Sequence, residues 1–173
     1  MNGYVYFIAV DVYFPANFNL NPPQSGYINA ELWRTDGTSG GTTKVKEINP
    51  GTTGLTADAF PFSTTNFLVF NNKLYFTATD GTNGMELWVS DGTSANTIML
   101  KNIDTAGDGS PSNLYAHNGF VYFSADDNAA NGREVWRTDG TPLGTVLVKD
   151  INPGGPNSSP SNFTSLDATH LLF

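Results

Sequence analysis

The sequence predicts an all-β protein assembled from tandem four-stranded units, and three observations predict it. The first is repetition: ELWRTDGT starts at Glu31, ELWVSDGT at Glu86 and EVWRTDGT at Glu134. The second is that the blocks flanking these motifs are short, aromatic or aliphatic, and bounded by turn formers, which is strand character. The third is that no segment carries apolar residues at helical spacing for long enough to compete, and frequent Gly and Pro would break one.

Four blocks make up each repeat. The first reads TTNFLVF from Thr64, PSNLYAH from Pro111 and PSNFTSL from Pro160. The second reads NGYVYF from Asn2, NNKLYF from Asn71 and NGFVYF from Asn118. The third is the Glu-Trp motif itself. The fourth reads KVKEINPG from Lys44, MLKNIDTAG from Met99 and LVKDINPG from Leu147. Counted by sequence the copies span about 2–70, 71–117 and 118–167, and 168–173 opens another. Glu31 to Glu86 is 55 residues and Glu86 to Glu134 is 48, a period in the range of four-stranded propeller blades. The expected architecture is therefore a β-propeller-like array of antiparallel blades, partial, with about three blades' worth of strands.

Alternation along Glu86-Leu87-Trp88-Val89-Ser90 puts Glu86, Trp88 and Ser90 on one face and Leu87 and Val89 on the other. Apolar side chains on both faces suit a sheet covered on both sides. Trp33, Trp88 and Trp136 stand at matched strand positions, so their indoles are expected to pack between adjacent blades, where aromatic burial stabilises most. Stacking on sugar rings is the alternative use of such residues.

The turns are legible too. Asn2-Gly3, Asn71-Asn72 and Asn118-Gly119 read as two-residue hairpins, because Asn and Gly tolerate positive φ. Each Trp strand runs into Asp-Gly-Thr: Asp36-Gly37-Thr38, Asp91-Gly92-Thr93 and Asp139-Gly140-Thr141. Three residues beyond each Thr stands Gly41, Asn96 or Gly144, a choice that predicts a left-handed backbone there. Long connectors join blades and short turns join strands within one, so blade edges are expected inside the NPG segments. Blades then cover about 1–50, 63–104 and 110–151, with a partial one at 160–173. Two readings stay open: a fragment of a longer propeller, or copies that self-associate through open blade edges.

Composition excludes several functions. Eight Lys+Arg against 16 Asp+Glu give a formal charge of −8, so nucleic-acid binding, which needs clustered cations, is not expected. Zero Cys removes disulfides and thiolate chemistry. The apolar runs are too short for membrane insertion by a helix. The first residues lack a basic start and long apolar stretch, so any export signal is expected outside this chain.

The ELWRTDGT, ELWVSDGT and EVWRTDGT motifs, with their LVKDINPG-type tails, resemble the ELWxxDGT repeat family of large secreted or surface-attached bacterial proteins. The resemblance covers nearly the whole chain. It implies a propeller-like repeat array in an extracellular or cell-surface setting, and little about activity, because the repeat rather than a reaction defines the family. The third copy departs at Val135, and the second at Asp104-Thr105-Ala106-Gly107 in place of Asn-Pro-Gly.

Candidate chemistry is judged by whether it repeats. Glu31, Glu86 and Glu134, with Trp33, Trp88, Trp136, Asp36, Gly37, Asp91, Gly92, Asp139 and Gly140, recur once per copy. A residue present once per blade is expected to do a structural job once per blade, such as accepting backbone N–H or pairing with a neighbouring Lys/Arg. A catalytic pair would need two carboxylates in unlike environments facing one cavity. Asp80, Asp126 and Asp127 lie in Asx-rich loops whose oxygens could hold Ca²⁺, although Asx turns have the same sequence. His117 and His170 stand alone beside turns. No catalytic residue is assigned and no cofactor other than that Ca²⁺ is expected.

One feature breaks the repeat. Phe7 to Glu31 is 24 residues, whereas Phe76 to Glu86 is 10 and Phe123 to Glu134 is 11. The first copy thus carries an insertion of about 13 residues within Val12–Ile28, bearing Tyr13, Phe14, Phe18 and Tyr27. In a four-stranded meander this turn shares a rim with the long connectors. That rim is the expected binding surface for a protein or glycan partner, with the four aromatics as contacts. The functional expectation is a non-enzymatic propeller-type binding or structural module serving adhesion, assembly or glycan/protein binding. A carbohydrate-acting hydrolase on a propeller scaffold, or a self-assembling structural subunit, is the alternative.

Overall fold

The computed structural model describes residues 1, 3–13, 27–50, 67–128 and 131–173. Among them are thirteen strands and no helix, arranged as four antiparallel meanders in chain order. Sheet 1 comprises β1 (Val5–Tyr13), β2 (Tyr27–Thr35) and β3 (Thr43–Asn49). Sheet 2 comprises β4 (Leu68–Phe70), β5 (Lys73–Thr79), β6 (Met85–Ser90) and β7 (Ile98–Lys101). Sheet 3 comprises β8 (Ser112–His117), β9 (Phe120–Asp126), β10 (Arg133–Thr138) and β11 (Val146–Lys149). Sheet 4 is the pair β12 (Thr164–Ser165) and β13 (Leu171–Leu172). No described sheet closes into a barrel.

Local chemistry places the hairpins. Phe70 pairs with Lys73 and His117 with Phe120, leaving two residues at each tip. Those tips are Asn71-Asn72 (φ 48° and 58°) and Asn118-Gly119 (φ 46° and 83°). Positive φ at both central residues is the turn whose twist matches that of paired strands. A bulge recurs between the third and fourth strands of the repeat: the register shifts between Leu32 and Trp33, Leu87 and Trp88, and Val135 and Trp136. The extra residue bends each outer strand at the same point, just before the indole. Nothing in the sequence reading anticipates it.

Packing follows the alternation of side chains. One core cluster joins Leu32, Val45 and Ile48 of sheet 1 to Leu74, Phe76, Ala78 and Trp88 of sheet 2. A second joins Tyr75, Leu87, Val89 and Leu100 of sheet 2, with Ile103 beyond it, to Val121, Phe123, Ala125 and Trp136 of sheet 3. Sheet 2 is thus covered on both faces, and its strands β5 and β6 are almost entirely buried. Trp88 and Trp136 each face the preceding sheet and are 6% exposed. Trp33 departs from the expected equivalence: it is only half-buried. It stacks on Phe7 at 6.5 Å, on a sheet face where Val5 is 66% exposed. The equivalence fails because burial of each indole needs a preceding sheet, and the described residues place none over sheet 1.

Polar latches reinforce the stack at one rim. Arg34 Nη1 donates to the Gly92 carbonyl at 3.2 Å, and Lys73 Nζ to the Gly140 carbonyl at 3.4 Å. A Cβ on Gly92 would lie 2.4 Å from the Tyr6 hydroxyl, and one on Gly140 2.5 Å from that of Tyr75. These glycines (φ 93° and 86°) therefore serve both the turn and the approach of the neighbouring sheet.

Candidate functional site

The repeated acids occupy two opposite rims. On the short-turn rim each Asp-Gly-Thr segment folds around its own carboxylate. Asp36 Oδ1 accepts the Thr38 N–H at 2.9 Å and hydroxyl at 2.7 Å, and Asp91 with Thr93 and Asp139 with Thr141 repeat both distances. The Thr hydroxyl in turn accepts the amide of Gly41, Asn96 or Gly144. Hydrogen bonds from the threonine hydroxyls hold all three carboxyls below the usual aspartate range, with the Thr amides adding to the effect. Beneath lies a hydroxyl pair, Thr35 with Thr42, Ser90 with Thr97, and Thr138 with Thr145.

Gly41, Asn96 and Gly144 are not left-handed, contrary to the sequence expectation; positive φ belongs instead to Gly37, Gly92 and Gly140. What a side chain at 41 or 144 would meet is the carboxylate of its own turn. A Cβ would fall 1.9 Å from Asp36 Oδ1 and 2.0 Å from Asp139 Oδ1. Asn96 instead donates its Nδ2 to Asp91 Oδ2 at 2.6 Å. Positions 41, 96 and 144 thus face the turn's carboxylate and have no positive φ.

The glutamates anchor the opposite, long-loop rim. Glu86 is fully buried, and its Oε1 accepts the Asp104 amide at 3.2 Å while Oε2 finds no partner among the described residues. Burial pushes its carboxyl up to about 7, with the Asp104 charge adding, against neighbouring amides that pull it down. Glu134, equally buried, accepts Ile151 N at 3.2 Å, Ser158 N at 3.1 Å and the Ser158 hydroxyl. Glu31 instead takes Lys44 Nζ at 2.6 Å and the Trp33 indole N–H at 2.7 Å. The Lys44 hydrogen bond is the main reason that its carboxyl lies below the usual range. Lys44 pairs in register with Trp33, and Met99 and Leu147 hold that place opposite Trp88 and Trp136. The cation that serves Glu31 is therefore peculiar to sheet 1.

Both complete connectors close on the third strand in the same way, although their sequences differ. Asp108 Oδ1 accepts Met85 N and Asn157 Oδ1 accepts Arg133 N, each at 2.7 Å. Ser110 N then donates to Met85 O at 3.0 Å, and Ser158 N to Arg133 O at 3.1 Å. The Asp104–Gly107 departure thus keeps the connector's attachment. Gly84 (φ 71°) lies so close to this closure that a Cβ would sit 1.9 Å from the Gly107 carbonyl oxygen, whereas Gly119 (φ 83°) has open space. Gly119→Ala is expected to cost about 1–2 kcal/mol for the backbone angle alone. Gly84→Ala should cost at least about 2 kcal/mol more, because a connector backbone has to move. Urea denaturation of both variants measures the difference, and equal costs would refute it.

The residues proposed for Ca²⁺ are engaged in turns. Asp80 Oδ1 accepts Thr82 N and Asn83 N at 2.9 and 2.8 Å, and Oδ2 accepts Asn83 Nδ2 at 2.7 Å. Asp126 accepts Asn128 N at 2.8 Å, and Asp127 accepts both the amide and the Nδ2 of Asn131. Among the described residues no three His, Cys, Asp or Glu gather as a metal-ion site. Of the unrepeated carboxylates, Asp108 caps the Met85 amide, Asp11 pairs in register with Asn29, and Asp58 lies outside the described residues.

The insertion lengthens the first hairpin. Strands β1 and β2 are nine residues each, and Tyr13 pairs with Tyr27 at the last described position before the tip. Phe14 and Phe18 lie outside the described residues. The Tyr13–Tyr27 pair ends its strands on the same side as the Thr79–Met85 and Asp126–Arg133 pairs, the long-loop rim. On the opposite rim a cavity of about 300 Å³ is lined by Lys73, Val89, Asp91, Asn96, Ile98 and Gly140. Sequence reasoning did not foresee it, because it forms only where the Asp-Gly-Thr turns of sheets 2 and 3 meet. His117 is buried, and its Nδ1 meets the Ser165 hydroxyl at 2.8 Å. His170 is exposed and pairs with Asp167 at 2.8 Å.

The chain matches no protein-family model, and neither a curated protein nor a solved structure shows significant similarity to it.

Proposed function

We propose that this chain is part of a β-propeller-type repeat array, a non-catalytic extracellular or cell-surface module that binds a protein or glycan through its long-loop rim. The observation that carries this reading is the employment of the repeated acids. Glu86 and Glu134 are sealed from solvent and hold connectors, while Asp36, Asp91 and Asp139 are consumed by their own turns. Groups committed once per repeat to the same structural bond build a scaffold, and specificity then falls to the elements that do not repeat. Face-to-face stacking of sheets 1, 2 and 3, each a meander in chain order, supports the propeller reading. The likeness of the Glu-Trp motifs to the ELWxxDGT family supports the extracellular one.

The inserted hairpin is the element that distinguishes the first repeat, and Tyr13, Phe14, Phe18 and Tyr27 are its proposed contacts. Aromatic side chains supply large contact area at low entropic cost, which suits glycan faces and protein hot spots alike. The test replaces residues 12–28 with the short turn of the second repeat, Asp80–Gly84. Binding to an array of bacterial and host glycans, and to extracellular-matrix proteins, is compared with the parent chain. Loss of a parental binding signal in a variant with unchanged thermal unfolding is expected; unchanged binding refutes the assignment.

A further inference from the structure

The cavity between sheets 2 and 3 has a counterpart between sheets 1 and 2, where Arg34 fills it. The Arg34 guanidinium lies over the Tyr4 ring at 4.7 Å. Its Nε donates to Thr43 Oγ1 at 3.4 Å and its Nη1 to the Gly92 carbonyl at 3.2 Å. Register and repeat position carry each of these residues onto the next sheet. Arg34 pairs with Tyr6 and Thr43, as Val89 pairs with Tyr75 and Ile98. Tyr4 and Lys73 are the third residues of NGYVYF and NNKLYF, and Gly92 and Gly140 the glycines of successive Asp-Gly-Thr turns. Val89, Ile98, Lys73 and Gly140 all line the cavity of about 300 Å³. It is thus the slot of Arg34 carried one sheet along, and it stays open because Val89 is too short to fill it.

What this slot lacks is a ring. Sheets 1 and 3 each set a cation on an aromatic face, Arg34 on Tyr4 and Arg137 on Phe120 at 4.5 Å. Sheet 2 keeps a cation but places it where the ring stands in the other two: Lys73 reaches the Gly140 carbonyl at 3.4 Å. No carboxylate forms an ion pair with Lys73 among the described residues. Val89 and Ile98 supply aliphatic walls. An ammonium beside such walls gives a π face both a cationic and an apolar contact. The volume suffices, since an apolar cavity of about 150 Å³ already holds benzene.

The polar edge selects among rings. Asp91 accepts the Thr93 amide, the Thr93 hydroxyl and Asn96 Nδ2, and a carboxylate has about four acceptor sites. The Gly140 carbonyl likewise has a second lone pair beyond the one that faces Lys73. Both groups call for an O–H or N–H on the ligand. An anionic ligand would meet Asp91 in a chain of formal charge −8, and a cationic one would meet Lys73.

We propose that this slot binds a neutral aromatic ring bearing a hydrogen-bond donor, a phenol or an indole, with its face on Lys73 and its donor on Asp91 or the Gly140 carbonyl. The site lies on the short-turn rim and is independent of the long-loop rim.

Titration of the isotope-labelled full chain with p-cresol to about 10 mM, followed by NMR, tests the assignment. Saturable shifts of the Gly140 and Asn96 amide signals are expected, with a Kd on the order of 1 mM because one ring supplies few atoms. The Gly92 and Gly41 signals, beside the slot that Arg34 fills, should not move. Toluene is expected to bind about fivefold more weakly, the worth of one hydrogen bond. Val89→Arg should close the slot and remove binding. Lys73→Met, a milder change, should weaken p-cresol about two- to fivefold, and it decides the matter if Val89→Arg does not fold. N-acetyltyrosinamide binding as p-cresol does would identify the ring as a partner protein's side chain; p-cresol binding alone would identify a small molecule, and either supports the slot. Shifts equal at Gly92 and Gly140, no saturation, toluene binding as well as p-cresol, or undiminished binding to either variant would overturn the proposal.

Discussion

Replacing Trp88 with Ala is expected to lower stability by about 3–5 kcal/mol, enough to unfold a marginal domain. The indole is 6% exposed, packs with Leu32, Val45 and Ile48 of the neighbouring sheet, and donates its N–H to the Ala78 carbonyl at 3.0 Å. Its removal leaves a cavity between two sheets that cannot collapse without moving both. Trp33→Ala, at the same place in the repeat, is expected to cost about 1 kcal/mol or less. Its ring is half-buried and its partners are Phe7 and the Glu31 carboxylate at 2.7 Å. Guanidinium denaturation at low micromolar concentration, followed by circular dichroism, measures both. Equal costs would mean that burial between sheets is not what these residues are for. Iodide should quench Trp33 emission in the parent chain and leave that of Trp88 and Trp136 largely untouched.

A second large effect is expected from pH, and it runs opposite to ordinary acid denaturation. The Glu86 carboxyl is raised from 4.5 to about 7 in the folded chain, chiefly by burial. A raised acid contributes full stability below its unfolded pKa and loses it as pH rises, so this loss falls between about pH 4.5 and 7. By linkage it amounts to about 3 kcal/mol. The carboxyls of Asp36, Asp91 and Asp139, held low by their threonines, act in the other direction: their contribution is present above the unfolded aspartate pKa and fades below it. Stability should therefore peak in mildly acidic solution. Glu86→Gln keeps the side-chain shape and an acceptor for the Asp104 amide without the buried charge. It is expected to flatten the profile between pH 5 and 7 and to exceed the parent in stability at pH 8. The gain is smaller than the linkage figure because the amide N–H donors, placed where Oε2 has no partner among the described residues, are buried unsatisfied at a cost of about 1 kcal/mol. Urea midpoints measured at half-unit pH intervals decide the matter, and a parallel profile for the variant would show that Glu86 is not the group titrating.

Much of this is visible in the one-dimensional sequence, for identifiable reasons. The Asn71-Asn72 and Asn118-Gly119 hairpins could be placed because positive φ restricts residue choice locally. The faces of Leu87, Trp88 and Val89 follow from the twofold period of a strand. Other features escaped because their cause lies far along the chain. Gly41 and Gly144 looked like left-handed positions, yet their backbone is not left-handed and what lies beside them is the carboxylate of Asp36 or Asp139. The bulge before each Trp leaves no residue signature, since many side chains accept it. The likeness of Asp108 to Asn157 emerges only once each is seen to cap the amide of a third strand.

The sequence alone determined the repeat, the strands, the tight turns and which side chains share a face. All of these are set by interactions between residues a few positions apart, and such interactions are written in local order. The structure alone decided which copies of a repeated residue are buried, why Glu86 and Glu31 differ, and where a cavity opens between Asp-Gly-Thr turns. Those properties depend on what lies on the other side of a sheet. Identical motifs receive different neighbours at the end and in the middle of a stack, and burial and charge follow the neighbour rather than the motif.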